Sequence, residues 1–422
     1  AIIVEKLGYL GGSTVVSGGG YNAVDPERQN RQNIDDSIDR HFQDTMRGGH
    51  NKNNPELVKK LVEEAPATMH WLEGKGLGFG PKVRVIVGGL YPRGHGAEGG
   101  GYGYIRVLEK FIKAYPDKVK VFTDTQAVKL IKNEAGKVIG VLGKHDSKDV
   151  NFMASKGVII ATGCYGSNEE MRKAVAPYSL HADAQIYFPT KSNTGDAHIM
   201  AMQAGGVMQK NDNHAATVHL EAGAGSYGFL HVNANGERFM NEDVNTQSKS
   251  CSKELQPHGI AWTVYDSNWT QDVKKQVDGN LAGGLFYGQM WHGWNVEIEK
   301  ASQAQHIKDG KVVVADTLDE LAQKMGVPVE AFKATVTRYN ELAAKGHDDD
   351  FGKRPELLTP IQKGPFYAGR LVSTLLAMSG GLHTDPSLHV LDKNDKPIEG
   401  LYVCGAAAGD YFGSGDYPTI CP

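Results

Sequence analysis

The chain begins with the stretch AIIVEKLGYLGGSTVVSGGGYNA (residues 1–23), which decides the fold class. Its first four apolar residues predict a buried parallel β-strand, which leads through Glu5 into a glycine-rich loop. In a dinucleotide-binding unit, an acidic residue at the carboxyl end of the second strand accepts hydrogen bonds from the ribose hydroxyls. The opening stretch therefore predicts the second strand of such a unit, followed by its loop.

Both ends of the chain are abrupt. The glycine fingerprint of a dinucleotide-binding unit lies about 20 residues before the acidic residue, whereas only four residues precede Glu5. At the other end, GLYVCGAAAGD (400–410) is a strand that runs into a glycine corner, and the sequence stops soon afterwards without a closing helix. We expect the first strand, its glycine turn and its helix to be missing from one end, and a further segment from the other.

The composition is that of an ordinary globular protein, with one exception. Of 422 residues, 40% are hydrophobic and 22% are charged, and the net charge of -4 argues against a basic face for nucleic acid. The 52 glycines exceed the usual share of about 7% and fall in short clusters, which is typical of tight turns at cofactor sites. No apolar run is long enough to span a membrane. The compartment is not predicted.

The four cysteines predict neither a disulfide framework nor a metal site. They form no CxxC pair and show no zinc-like spacing. The cysteines are Cys164, Cys251, Cys404 and Cys421.

The hydrophobic pattern changes twice along the chain. At first, buried strands with glycine corners such as GVIIATGCYG (157–166) alternate with helices. An α+β pattern follows, with a hairpin at VNANGERFMNE (232–242) and a helical pair that begins at a capping box of Thr317 and Glu320. The buried-strand pattern then returns. We predict an α/β fold in which a nucleotide-type domain (1–206 and 371–422) is interrupted by an inserted domain (207–370).

Local signals predict individual elements. Asn54 as N-cap and Pro55 at the first helical position begin a helix, which Pro66 is expected to break or kink. Period-two alternation on both sides of a turn at Glu134–Gly136 predicts an antiparallel strand pair.

Several motifs in one order resemble a known family. The sequence is similar to the flavoprotein subunits of the fumarate reductase and succinate dehydrogenase group, and most of all to the flavocytochrome c type within the FAD-binding 2 superfamily. The resemblance covers nearly the whole chain. Its motifs are VEKLGYLGGSTVVSGGGYNA (4–23), DTMRGGHNKNNPELVKKL (44–61), GVIIATGCYGSNEEM (157–171), TGDAHIMAMQAGG (194–206), GERFMNE (236–242) and MSGGLHTDP (378–386).

The resemblance implies a Rossmann-like FAD-binding domain of the glutathione reductase type, with the inserted domain as an α+β cap. It implies FAD as the cofactor, held non-covalently because no histidine stands in the loop where relatives attach it. Glu5 and Lys6 would lie at the adenosine ribose. The other residues implied at the cofactor are Gly12, Ser13, Thr14, Ser17, Gly18, Gly19, Gly20, Ala127, Ala161, Thr162, Gly163, Asp196, Gly405 and Ala406. For Thr162 and Asp196, a helix-capping role is the alternative.

The sequence departs from the family where a dicarboxylate substrate would be held. Thr246 stands where fumarate reductases carry a proton-delivering arginine, and Leu376 and Ala377 stand where they carry a histidine pair. Asp416 takes the place of a second substrate arginine. The resemblance therefore implies a substrate other than fumarate or succinate.

The catalytic acid is less well defined. Tyr411, Asp416 and Tyr417 lie on the segment that faces the flavin in the family, and a tyrosine can donate a proton beside a flavin. The alternative is a segment that only packs against the cofactor. Further polar candidates are His219, Lys249 and Arg93, for each of which a solvated side chain is the alternative.

Three functions remain open from the sequence. The first is an FAD enzyme that reduces an activated carbon–carbon double bond in an enoate or enone, as in anaerobic respiration. The second is a ketosteroid-type dehydrogenase that desaturates a bulky apolar substrate. The third is a flavin-binding subunit without its own catalytic acid. The expected partners are a small unsaturated carbonyl compound and a heme or FMN electron-donor domain or subunit.

Overall fold

The computed structural model describes residues 1–85, 91–175, 185–187, 190–210, 214–221, 227–244, 246–278, 295–411 and 413. The chain forms two compact units. The first unit contains 1–180, 187–216 and 375–422, and the second unit contains 181–186 and 217–374. The sequence predicted the inserted domain over 207–370, and its role as a cap over the flavin stays a prediction.

Eleven helices are described. They are α1 Pro26–Asn30, α2 Ile38–Gly48, α3 Pro55–Gly74, α4 Gly100–Lys113, α5 Glu169–Val175, α6 Asp196–Gln203, α7 Thr246–Glu254, α8 Trp269–Asp278, α9 Val296–Lys308, α10 Leu318–Met325 and α11 Val329–Lys345.

Seventeen strands are described. They are β1 Ile2–Val4, β2 Gly20–Asn22, β3 Phe79–Arg84, β4 Gly94–Ala97, β5 Lys120–Phe122, β6 Thr125–Lys132, β7 Val138–His145, β8 Lys148–Met153, β9 Val158–Ile160, β10 Gln185–Tyr187, β11 His214–Glu221, β12 Leu230–Asn233, β13 Ala261–Tyr265, β14 Val312–Ala315, β15 Phe366–Ser379, β16 His389–Leu391 and β17 Pro397–Val403.

The first unit contains two pairs of parallel strands. β1 pairs with β5, and β9 pairs with β17, which also pairs antiparallel with β16. The core behind β17 contains Leu401 and Val403 together with Ala197 and Ala201 of α6, all fully buried. The predicted burial of β1 is wrong for this chain: Ile2 is 48% exposed, because among the described strands only β5 covers an edge of β1.

The antiparallel sheet β6–β7–β8 confirms the turn predicted at Glu134–Gly136. β6 and β7 run antiparallel, with Leu130 opposite Val141. Gly136 has φ +84°, which a glycine adopts without steric cost, and its N–H donates to the carbonyl of Asn133 at 2.9 Å. The period-two alternation was sufficient here because one face of this sheet is covered.

Helix α3 begins as predicted but does not break at Pro66. The side chain of Asn54 accepts from the N–H groups of Glu56 and Leu57, at 3.0 and 3.4 Å. The helix continues through Pro66 to Gly74 because its apolar face is buried along its whole length, which offsets the lost backbone hydrogen bond. The buried residues are Leu57, Val58, Val62, Ala65, Met69 and Leu72.

The second unit is built around β15. Antiparallel partners of β15 are β13 and β14, and β12 pairs with β13; β10 and β11 also pair with β15. The core contains Leu230, Val264, Phe332 and Ala368, each fully buried. The predicted capping box is present in part, since the hydroxyl of Thr317 accepts from the N–H of Glu320 at 3.2 Å.

A network of buried charges crosses this core. Arg238 binds Glu242 through Nε and Nη2, at 2.9 and 2.8 Å, and binds both carboxylate oxygens of Asp348 at 3.0 and 2.8 Å. Lys353 Nζ lies 3.2 Å from Glu242 Oε2 and donates to the hydroxyl of Tyr339 at 2.7 Å. The side chains of Glu242, Asp348 and Lys353 are fully buried, so the network has two cations and two anions with little contact to water.

Candidate functional site

The glycine loop that follows β1 folds into a short 3-10 helix, Gly12–Val16. The helix is preceded by Gly11 with φ +106°, and the loop ends at Gly19 with φ +71°. Both angles lie in the left-handed region that non-glycine residues rarely adopt. Thr14 and Ser17 are exposed, so the loop presents hydroxyl and backbone groups on the surface of the first unit.

A second glycine segment, AEGGGYG (97–103), packs directly against this loop. The N–H of Gly101 donates to the carbonyl of Ser17 at 2.9 Å. A Cβ atom on Gly101 would lie 1.8 Å from the carbonyl oxygen of Thr14, and one on Gly19 would lie 2.3 Å from the carbonyl carbon of Gly100. The start of α4 therefore supports the loop by backbone contact. The run of glycines was visible in the sequence, but its partner was not.

Ser13 joins the loop to the segment that precedes α6. Its Oγ accepts from Asn193 Nδ2 at 2.8 Å and lies 3.0 Å from Thr190 Oγ1. The sequence placed Ser13 at the phosphates and did not single out Thr190 or Asn193. The structure thus adds two polar side chains to the neighbourhood of Ser13.

Lys6 and Asp196 meet, although the resemblance implied Lys6 at the adenosine ribose and Asp196 in the ribityl and pyrophosphate region. Lys6 Nζ lies 2.9 Å from Asp196 Oδ2 and donates to Thr194 Oγ1 at 2.7 Å. The carboxylate of Glu5 accepts from the N–H of Leu7 at 2.8 Å, which turns it back onto its own loop. These contacts bring the end of β1 to the start of α6. The contact of each residue with FAD stays a prediction.

Thr162 has the capping role that the sequence offered as its alternative. Its hydroxyl accepts from the N–H of Ala197, in the first turn of α6, at 3.1 Å. The next residue, Gly163, has φ +74°, and a Cβ there would lie 2.8 Å from Asn193 Oδ1. Ala161 and Thr162 are exposed at the carboxyl end of β9, where open α/β sheets bind their ligands.

The remaining predicted cofactor residues lie at two further places in the first unit. Gly405 has φ +67°, is exposed, and has no other atom within 4 Å of the position of a Cβ; Ala406 follows it. Ala127 lies in β6 opposite Gly143 and is half-buried. The open space at Gly405 leaves its backbone accessible to a ligand.

These residues suit an FAD. A dinucleotide needs hydroxyls and unobstructed backbone N–H groups for its phosphates, and an acidic group for a ribose. Gly12 combines a positive φ of +45° with open space at its Cβ position, and Gly405 does the same. Ser13, Thr14 and Ser17, which carry hydroxyls, follow Gly12 in the same loop. The donor set therefore fits the group that the sequence predicted.

Of the three candidate catalytic residues, only Tyr411 lies within the described residues. Its carbonyl accepts from Asn53 Nδ2 at 2.6 Å, and burial raises the pKa of its phenol, with Cys404 and Glu64 adding to the effect. Asp416 and Tyr417 lie outside the described part of the chain. So do the side chains of Thr246, Leu376, Ala377 and His219. The catalytic roles stay predictions.

Arg93 and Lys249 are buried, so the solvated alternative is wrong for both. Arg93 is 1% exposed and binds Asp36 through Nε and Nη2, at 3.0 and 2.9 Å, and Asp44 through Nη2 at 2.8 Å. Lys249 in α7 is 2% exposed. Burial would raise the pKa of Asp36, but the hydrogen bonds from Arg93 and Gln29 lower it below its ordinary value. The charge of Arg93 is thus compensated inside the first unit.

His198 is a buried residue of α6 that the sequence did not single out. It is fully buried, and its ring meets that of Tyr165 edge-on at 5.0 Å between centroids. Burial lowers the pKa of the imidazole to about 4. It also raises the pKa of the Tyr165 phenol. Both side chains are therefore neutral at physiological pH.

Replacing His198 by Leu is expected to remove part of the acid sensitivity of folding. The folded imidazole stays neutral until the pH reaches about 4, whereas the unfolded one binds a proton near 6.5. As the pH falls from 7 to 5 the unfolded state gains this proton first, which costs the native protein about 2 kcal/mol. Urea denaturation at both pH values measures the difference. Met200→Leu in the same helix should keep the native pH dependence, and His198→Leu behaving likewise would contradict the expectation.

Within the described residues, no group of three or more His, Cys, Asp and Glu side chains could hold a metal ion, and no helix is long and apolar enough to cross a membrane. Cys164 and Cys404 are free thiols.

Comparison with known proteins identifies relatives along the whole chain. An NADH:fumarate oxidoreductase of Klebsiella pneumoniae is 27% identical over 98% of this chain, which spans 42% of that relative. A vinyl phenol reductase of Lactiplantibacillus plantarum is 27% identical over the entire chain and 88% of the relative. The open conformation of a flavocytochrome c3 fumarate reductase is similar in structure, with a TM-score of 0.72 and 26% identity over 99% of this chain and 70% of that one.

The sequence model of the family described as FAD binding domain matches residues 1–415. The predicted α/β fold class and the resemblance to fumarate reductase flavoproteins are confirmed by these matches. FAD is accordingly the cofactor. Its contacts with the glycine loop, the end of β9 and the corner at Gly405 stay predictions. The chain belongs to the FAD-binding domain family of flavoproteins.

Proposed function

We propose that this chain is the flavin-binding part of an FAD-dependent oxidoreductase that reduces an activated carbon–carbon double bond in a small enoate or enone other than fumarate. Because the chain spans less than half of the Klebsiella pneumoniae relative, its activity is inferred from the site and its relatives together. A heme or FMN domain or subunit is proposed as the electron donor, by analogy with the flavocytochrome relatives.

The observation that carries the proposal is the environment of Arg93. A dicarboxylate needs fixed cations, usually arginines that bind a carboxylate through two nitrogens. The family positions for such groups hold Thr246, Leu376, Ala377 and Asp416, which offer no cation. Arg93 was a candidate replacement, but Asp36 and Asp44 already hold its guanidinium. The two carboxylates already balance the single positive charge of Arg93, although its Nη1 has no hydrogen-bond partner among the described residues.

The names of the relatives support a reductase without narrowing its substrate. One relative is named for fumarate, a dianion, and the other for vinyl phenol, which has no carboxylate. The relatives thus include one reductase named for a dianionic substrate and one named for a substrate without a carboxylate. Because this chain has no cation at the positions where fumarate reductases bind a dicarboxylate, a less charged substrate is favoured.

Each part of the reaction is assigned to a part of the chain. FAD supplies hydride transfer when it is bound. Ser13, with the backbone of the 3-10 helix, would hold the phosphates, and Thr162 caps the start of α6. Tyr411 is a candidate proton donor, together with Asp416 and Tyr417. Burial raises the pKa of Tyr411, so its phenol keeps its proton at neutral pH, as a donor must.

The reduced holoenzyme, expressed from the complete gene, should react with fumarate at least about 100-fold more slowly than with a neutral enone or a monoacid enoate of similar size. Burying an uncompensated carboxylate costs several kcal/mol, and each 1.4 kcal/mol is about a factor of ten. Stopped-flow reoxidation of the flavin by each acceptor measures the rates. A steroid enone in the same panel tests the ketosteroid alternative. Fumarate as the fastest acceptor would contradict the proposal.

A further inference from the structure

Asp410 adopts a left-handed backbone conformation. It follows Gly409 at the glycine corner after β17 and has φ +66°. Its side chain is 9% exposed. Glycine is the default residue in the left-handed region, and aspartate enters it where its short polar side chain makes local hydrogen bonds. An aspartate at this corner therefore points to a role for its carboxylate.

Three separate segments of the first unit hold the polar groups of Asp410. Its N–H donates to Gln209 Oε1 at 2.8 Å, and its carbonyl accepts from the N–H of Asn54 at 2.9 Å. Its Oδ2 accepts from the N–H of Thr384 at 2.9 Å and lies 2.7 Å from His383 Nδ1. The backbone donor, the backbone acceptor and the carboxylate are all engaged, each by a different part of the chain.

His383 connects this buried carboxylate to the surface. Its side chain is 13% exposed, and its Nε2 lies 3.0 Å from Oδ1 of Asp395, which is 55% exposed. Asp395 is also bound by Lys210 Nζ at 2.6 Å. The imidazole is therefore fixed at both ring nitrogens, and its inner nitrogen orients the carboxylate of Asp410.

The residues after Asp410 are fixed by the same neighbourhood. The carbonyl of Tyr411 accepts from Asn53 Nδ2 at 2.6 Å. A Cβ on Gly413 would lie 2.1 Å from the carbonyl oxygen of Gly49, so the two backbones are in direct contact. The turn that contains Gly409, Asp410 and Tyr411 thus packs against the loop between α2 and α3. Asp410 is the first residue of the turn that is hydrogen-bonded to this loop.

We propose that Asp410, oriented by His383, is a positioning residue that fixes this turn and so places Tyr411 at the flavin site. The part concerning the flavin rests on the function proposed above. Loss of the carboxylate releases the turn from His383 and Thr384, and Tyr411 loses its fixed place. A displacement of about 1 Å at a reacting group can cost about 100-fold in rate.

The test combines four variants of the holoenzyme with two readouts. Asp410→Gly keeps the backbone conformation and removes the carboxylate, and Asp410→Asn keeps an acceptor for the N–H of Thr384. His383→Leu removes the orienting ring. Asp395→Asn alters only the exposed partner of His383 and is the control. The readouts are the rate of chymotrypsin cleavage after Tyr411, located by mass spectrometry, and kcat and KM for the best enoate or enone acceptor.

Asp410→Gly and His383→Leu should be cleaved after Tyr411 at least about tenfold faster than the native protein, and their kcat should fall by about 10–100-fold with a smaller change in KM. Asp410→Asn should recover part of both properties, and Asp395→Asn should match the native protein. Native cleavage rates in Asp410→Gly would overturn the proposal, even if its kcat fell. Faster cleavage, combined with a native enzyme that reduces no acceptor, would support the anchoring role and refute the proposed function instead.

Discussion

Replacing Glu242 by Gln should destabilise the second unit by about 3–5 kcal/mol, the usual cost of leaving a buried charge without its partner. Glu242 is fully buried between Arg238 and Lys353 and also accepts from the N–H of His231 at 3.2 Å. Burial alone would raise the pKa of its carboxyl, but Lys353 and Arg238 lower it below its ordinary value. The amide would leave two buried cations facing Asp348 alone.

Urea denaturation followed by tryptophan fluorescence measures this effect, since Trp262 and Trp269 lie in the second unit. Asp350→Asn is the matched control. It removes the partner of Arg338 from an ion pair whose side chains are 49% and 32% exposed, and such pairs contribute about 0–1 kcal/mol. The double variant Glu242→Leu with Lys353→Met removes one charge of each sign and should recover part of the loss. A Glu242→Gln protein with the native midpoint would show that the network is hydrated.

Replacing Gly101 by Ala should reduce FAD affinity by at least about 100-fold. The new Cβ would lie 1.8 Å from the carbonyl oxygen of Thr14 and 2.2 Å from Ser17 Oγ. Because the closer atom is backbone, no side-chain rotation relieves the overlap, and the 3-10 helix Gly12–Val16 must move away from α4. That helix carries Ser13 and Thr14, which we assign to the phosphates. A shift of this size separates these groups from the cofactor.

Fluorescence titration of the apoprotein with FAD measures the affinity. Acid precipitation of the native holoenzyme should release free flavin, as the predicted non-covalent attachment requires. Gly74→Ala at the end of α3 is the control, since no atom lies within 4 Å of its Cβ position. Circular dichroism distinguishes a folded variant that lacks flavin from an unfolded one. Full flavin content in Gly101→Ala would mean that the loop does not depend on α4.

Much of the fold could be predicted from the sequence because its signals are local. The caps at Asn54 and Thr317 and the turn at Gly136 depend on a few neighbouring residues, and the structure contains each of them. The motifs were sufficient for the family and for FAD, because several of them stand in the order that the family shows. Pro66 is the counterexample, since the burial of α3 on both sides of it outweighs its local preference.

The candidate site could be predicted only in part. The run of glycines that forms the loop was visible in the sequence, but its support by the segment around Gly101 was not. Lys6 and Asp196 were assigned separately because 190 residues lie between them. The catalytic acid stays a prediction, since of its three candidates only Tyr411 is described.

The sequence by itself determined the α/β class from its hydrophobic pattern, and the family and the cofactor from a resemblance that its motifs carry. Only the tertiary structure decided what the charged residues do. An arginine is the residue type that would bind a substrate carboxylate. Arg93 is instead held in the interior by Asp44 and by Asp36, which lies 57 residues away in sequence. An aspartate after a glycine is typical of a turn exposed to water. Asp410 is instead hydrogen-bonded by segments around residues 54, 209 and 383. The role of a charge depends on burial and on its partners, and both are set by parts of the chain that are distant in sequence.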